Sequence, residues 1–200
     1  MKRDVISDSK GFSLIELIVV VLIISILATG AVMSLAVVYD SDVERAARNL
    51  YTILDQARTD AIAYNDESQS QKVEVFAYIE QHDNGDYYAG VKKITTQKSG
   101  GVDPVVEILE EKKLANYRVT IFFGKKNSTI ASADLVELQN GTDAIETGKP
   151  GLVEYSFKKG TGRLDPDKAT SEYCDIFING SETFKVLLST ASGKCMINHE

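Results

Sequence analysis

Twenty-three residues in a row, from Leu17 to Tyr39, carry no charge. Coiled as a helix they extend about 35 Å, enough to cross a bilayer core of about 30 Å. The wider stretch from Phe12 to Tyr39 holds 28 residues, of which 22 are hydrophobic and one, Glu16, is charged. A core helix of a soluble domain keeps a polar face, and this stretch has none. Lys2, Arg3 and Lys10 precede it, whereas Asp40, Asp42 and Glu44 follow it. That asymmetry predicts a single span with a cytoplasmic N-terminus and everything beyond residue 39 outside the cytoplasm. A cleavable secretory signal does not fit, because its apolar region has about 7–15 residues and ends at small residues. Here strong hydrophobics continue straight past Ala28-Thr29-Gly30.

Glu16 stands apart from its surroundings. A carboxylate this close to a membrane costs a few kcal/mol unless it finds a partner or snorkels to the interface. No other residue of the run can pair with it, so a partner has to come from another chain. The octamer Lys10-Gly11-Phe12-Ser13-Leu14-Ile15-Glu16-Leu17 resembles the processing site of type IV pilins and of the pseudopilins of type II secretion. The points of likeness are a short charged leader ending in Gly, then Phe, then Glu at the fifth residue after the cut, then a long apolar run. The resemblance implies that a membrane-embedded prepilin peptidase cuts between Gly11 and Phe12, removes residues 1–11 and methylates the new amine of Phe12. It also implies that Glu16 meets the amine of a neighbouring subunit's Phe12. A buried carboxylate and ammonium neutralise each other where neither is tolerated alone. The sequence departs from the family at Met33, where many members carry a proline, so a bend in this helix would fall to Gly30.

Beyond the run, Val43, Ala46, Ala47, Leu50, Ile53, Leu54, Ala57 and Ala61 fall on one helical stripe, with Glu44, Arg45, Arg48, Asp55 and Arg58 elsewhere. Ser41-Asp42-Val43-Glu44 reads as a capping box, yet the resemblance implies one continuous helix; residues 39–42 are a second place for a bend, and the helix is expected to end about Tyr64-Asn65-Asp66. Strands are predicted at residues 73–80, 86–95, 105–109, 117–123, 152–158, 173–178, 184–189 and 194–197. His82-Asp83-Asn84-Gly85 and Asn179-Gly180-Ser181 supply turns. Residues 127–151 read as a long loop with at most short elements. Four segments result: a leader (1–11), a transmembrane and assembly half-helix (12–39), an amphipathic half-helix (40–64) and an extracytoplasmic β-rich head (65–200). The fold class is α+β, a long N-terminal helix packed on an antiparallel β-sheet head, the fold that pilins have.

Within the family, the H-type pseudopilin and FimT-like minor pilin branch is the one this chain resembles. The likeness rests on the segment from Leu50 to Ile62, where Ala57-Arg58-Thr59-Asp60-Ala61-Ile62 closes the amphipathic helix, and on Phe184 to Ser189 leading into Gly193-Lys194. Pilin heads often carry a C-terminal disulfide, and Cys174 with Cys195 is the candidate pair. It would close a loop of about 20 residues, worth about 3 kcal/mol. Two small buried strand residues, held apart by a strand between them, are the other reading. Asp83 and Asp86 form a candidate calcium turn, although their spacing is not that of a full calcium loop. An ordinary hairpin turn is the simpler explanation.

No phosphate loop, nucleophile elbow or His-Glu-x-x-His is present. The chain therefore reads as no enzyme, with no cofactor and no metal centre. Lysine pairs at 92–93, 112–113, 125–126 and 158–159 raise DNA binding as an alternative. The leader contributes +1 to a total of −7, so the mature chain is −8 and argues against DNA. The resulting expectation is a minor pilin or pseudopilin, a structural subunit of a type IV pilus, a type II secretion pseudopilus or a competence machine. Its partners would be the peptidase, other pilins in a helical filament, the cytoplasmic membrane and assembly-platform proteins. A DNA-receptor pilin and a membrane-anchored domain that never polymerises are the two alternatives.

Overall fold

The computed structural model describes residues 13–64, 71–99, 101–138 and 151–200, with side chains described outside 30–41 and Ala169. The chain divides into two units, Met1–Val38 and Tyr39–Glu200. The first contributes the N-terminal part of α1 (Leu14–Ala63), a helical element of 50 residues. The predicted capping box does not start a new helix, because helical hydrogen bonding is already in place when the chain reaches it.

In the second unit the eight-residue stripe forms as the periodicity demands. Val43, Ala46, Ala47, Leu50, Ile53, Leu54, Ala57 and Ala61 are all buried. Four of the eight are alanines, and so small a stripe lets the helix sit close on what it covers. α1 ends at Ala63, where Tyr64 N still donates to Asp60 O at 2.9 Å. Gly160 N donates to the carbonyl of Ala61 at 2.9 Å, satisfying an acceptor that the helix end would leave open.

Two antiparallel sheets make the rest, where the sequence had suggested one. The first has the order β3 (Val105–Ala115), β2 (Tyr87–Gln97), β1 (Gln71–Gln81), β6 (Leu152–Phe157). The second has the order β5 (Val136–Glu137), β4 (Thr120–Gly124), β7 (Asp175–Asn179), β8 (Thr183–Leu188), β9 (Cys195–His199). The helical stripe shares one buried cluster with Val75, Ala77, Ile79, Ala89, Val91, Val153 and Tyr155 of the first sheet. Ile121, Phe123, Ile176, Ile178, Val186 and Leu188 of the second sheet belong to the same cluster. Alternation along each strand therefore puts one face of each sheet toward the helix. The molecule is α+β, an N-terminal helix packed on antiparallel sheets.

Both predicted turns form. His82 N donates to Asp86 O at 2.9 Å, and Gly85 takes the left-handed φ of +80° that closes the β1–β2 hairpin. Gly180 joins β7 to β8 with its Cα so close to Val43 that a Cβ would fall 2.6 Å from Cγ2. β3 runs six residues further than predicted, through Glu110-Glu111-Lys112-Lys113. β3 is an edge strand, and edges carry such charges. β4 begins later than predicted because residues 116–119 form a turn, Val119 N donating to Asn116 O. The predicted loop 127–151 contains only β5 among its described residues, and Tyr173 is preceded by a short 3-10 helix, Ala169–Glu172.

Candidate processing and assembly site

Ser13 O accepts the first helical bond, from Leu17 N at 3.2 Å, so α1 starts immediately after the proposed cut. Gly11 and Phe12 lie outside the described residues. Glu16 sits in the first turn, where the unsatisfied N–H groups of a helix start favour an anion, and its side chain is exposed. From Leu14 to Leu27, twelve large apolar side chains are exposed around the whole helix, from 43% at Val20 to 77% at Leu14. This contrasts with the second half of α1, whose stripe is buried to within 2%. Burying twelve such side chains would contribute on the order of 20 kcal/mol. So large an unused quantity marks a surface meant to be covered by something other than water.

The hydroxyls of Ser25 and Thr29 are already satisfied within the helix. Ser25 Oγ donates to Val21 O and Thr29 Oγ1 to Ser25 O, both at 2.8 Å. Hydroxyls bonded back by one turn expose no free donor to an apolar medium. Among the described residues no helix is long and apolar enough to cross a membrane. The apolar stretch with described side chains ends at Thr29, and its 16 residues cover about 24 Å, short of a bilayer core of about 30 Å. The predicted span from Leu17 to Tyr39 continues into residues whose side chains are not described.

Residues 6–32 match the family model described as the prokaryotic N-terminal methylation motif. This chain carries a methylation motif. The match takes in Gly11, Phe12 and Glu16 together with the first part of the apolar run, and it supports a type IV pilin-like family. Such a motif implies processing by a prepilin peptidase and assembly with other pilins. No curated protein and no solved structure matched the chain.

Two sequence signatures meet in the head through a contact that spans 134 residues. Arg58 Nε donates to Ser192 O at 2.9 Å, with Asp55 at 4.0 Å from its other end. Gly193 packs so tightly on the turn of residues 158–163 that a Cβ would stand 1.8 Å from Gly162 O, and 3.3 Å from Arg58 Cδ. Gly162 (φ +62°) in turn leaves no room for a Cβ beside Ile62 and Arg58. The end of α1, the turn after β6 and the turn before β9 thus interlock through Arg58, Gly162 and Gly193. Sequence reasoning noted Arg58 and Gly193 separately. Gly160 and Gly162 went unremarked, although Lys159-Gly160-Thr161-Gly162 is a legible turn signal.

The other candidates resolve as follows. Cys174 and Cys195 are free buried thiols, which corrects the disulfide candidate. Leu188 of β8 lies between them: its N donates to Cys174 O, and it is the ladder partner of Cys195. Two strand spacings of about 4.8 Å exceed the Cα separation a disulfide can bridge. Burial pushes the Cys195 thiol up to about 12, with Asp55 adding and Arg58 opposing, and burial also raises Cys174. At the calcium candidate, Asp86 already faces an ammonium, since Lys113 Nζ lies 2.5 Å from its Oδ2. Asn84 also bonds Asp86, its Nδ2 donating to Oδ2 and its Oδ1 accepting from the Asp86 N–H, and the described residues hold no cluster of three His, Cys, Asp or Glu able to take a metal.

The lysine pairs are largely neutralised. Lys92 meets Glu154, Lys93 meets Glu107, Lys112 meets Glu110, Lys125 meets Glu172 and Lys158 meets Asp165. One ion pair is internal and was not legible. Lys185 Nζ donates to Ser128 O and lies 2.9 Å from buried Asp175 Oδ2, without the alignment of a hydrogen bond. It also stands 4.9 Å over the Phe177 ring. This pair holds the segment after β4 onto the outer face of the second sheet.

Proposed function

We propose that the chain is a minor pilin or pseudopilin of the H-type and FimT-like branch, with no catalysis of its own. The precursor is anchored in the cytoplasmic membrane by the stretch from Leu17 to Tyr39, N-terminus inside and head outside. Prepilin peptidase cuts after Gly11 and methylates Phe12. The freed helix then packs with those of other pilins in a pilus, a secretion pseudopilus or a competence filament, and Glu16 neutralises the neighbouring Phe12 amine. The observation that carries this reading is the methylation motif at residues 6–32, whose helical part is apolar and exposed on every side from Leu14 to Leu27. A helix apolar on every side has no soluble resting place, whereas lipid first and other helices later supply two.

The test is Glu16→Ala in cells that contain the peptidase and the other filament subunits. Cleavage should persist, because the substitution leaves Gly11 and Phe12 in place, while recovery of the chain in sheared filaments should fall about tenfold. Unchanged incorporation would contradict the pairing role of Glu16.

A further inference from the structure

The β8–β9 turn, residues 189–194, separates two clefts of about 500 Å³ each. Thr190 and Ala191 line both, so the turn is a shared wall. One cleft carries Lys126 and Lys194, the other Lys158 and Arg163. All four side chains sit on exposed residues. The acid lining the clefts is Asp175, which is buried and matched by Lys185; Asp165, 3.6 Å from Lys158, offsets one charge from the rim. A chain of net charge −7 thus gathers a local excess of positive charge around one turn. The floor is apolar, with Leu187, Leu164 and Met196, the last 62% exposed. β9 forms the outer edge of its sheet, pairing only with β8 among the described residues. Its other side therefore offers unpaired backbone groups next to Lys194 and Met196.

The geometry points to a docking groove for an extended polypeptide segment of alternating acidic and apolar residues, which adds to the β9 edge and sets its carboxylates on Lys126, Lys194, Lys158 and Arg163. Charge complementarity selects an anionic occupant, and the apolar floor with a free strand edge selects a peptide. A nucleic acid fits less well: no aromatic side chain lines either cleft among the described residues, so bases find no stacking platform. The proposal concerns the head alone and does not rest on how the N-terminal segment is processed.

Fluorescence anisotropy on the full chain in detergent micelles tests it, with a labelled glutamate–leucine alternating peptide as probe. A lysine–leucine peptide and a single-stranded DNA oligonucleotide serve as competing probes. The acidic peptide should bind, more weakly as salt rises. Lys126→Glu with Lys194→Glu should weaken binding about tenfold, and Lys158→Glu with Arg163→Glu should do likewise. Lys98→Glu with Lys112→Glu, which changes net charge equally elsewhere, should leave it intact. All six positions lie outside the core, and circular dichroism confirms that each variant is folded. Absence of acidic-peptide binding, equal binding of the basic peptide, equal loss in the control pair, or tighter binding of the DNA would each overturn the assignment.

Discussion

Gly193 has no room for even one more carbon. An alanine there would place its Cβ 1.8 Å from the Gly162 carbonyl oxygen and hold a left-handed φ of +67°. Gly193→Ala should destabilise the head by about 3 kcal/mol, backbone strain and a steric clash together. Gly101 is the control, because its φ is +88° but a Cβ would meet nothing within 4 Å. Gly101→Ala should cost about 1 kcal/mol, the conformational part alone. Urea unfolding of both variants separates the two contributions. Asp60 offers a second test. Burial and the nearby Glu110 carboxylate raise it from its ordinary value of 3.8. The folded state then holds this proton more tightly than the unfolded state, so stability contributed at low pH is lost as pH rises through the raised value. Asp60→Asn should flatten the pH dependence in that window and stabilise the head at neutral pH; a variant with an unchanged slope would contradict the assignment.

Among elements, the amphipathic half of α1 was legible because its period is local, eight positions repeating every three or four residues. The hairpins were legible for the same reason, each fixed by a turn of a few residues. The division into two sheets was not legible, since β6 pairs with β1 across more than seventy residues and no local pattern records that register. The ion pair of Asp175 and Lys185 escaped for a related reason. Each residue sits where a strand's outward face should be solvated, yet both are buried, and Lys185 bonds Ser128 of the segment after β4. Removing one partner, as in Asp175→Ala, should cost about 3–5 kcal/mol, because the other charge is left buried. Asp175→Leu combined with Lys185→Met should recover most of that loss in thermal unfolding. The cysteines show an element-level constraint on chemistry, since β8 between them decides their redox state. Alkylation of the native head should be slow, unfolding should expose two reactive thiols, and reduction should change nothing. Recovery of a 174–195 cross-linked peptide from the native protein would contradict the strand order.

For the whole molecule, one sequence serves two solvents. The second unit buries a helical stripe and two sheet faces in one cluster, while the first half of α1 displays twelve exposed large apolar side chains. The total charge of −7 divides into +1 over residues 1–11 and −8 over residues 12–200. In the function proposed above, the basic residues of 1–11 would hold the N-terminus inside until the cut, and the amine of Phe12 would then become the charge that Glu16 answers. Everything in this scheme depends on the bond between Gly11 and Phe12. Intact-mass and peptide mass spectrometry of the chain, purified from cells with and without prepilin peptidase, reads that bond directly. With the peptidase present, the chain should begin at N-methylated Phe12, and without it at Met1. A chain that keeps residues 1–11 in the presence of an active peptidase would contradict the pilin reading.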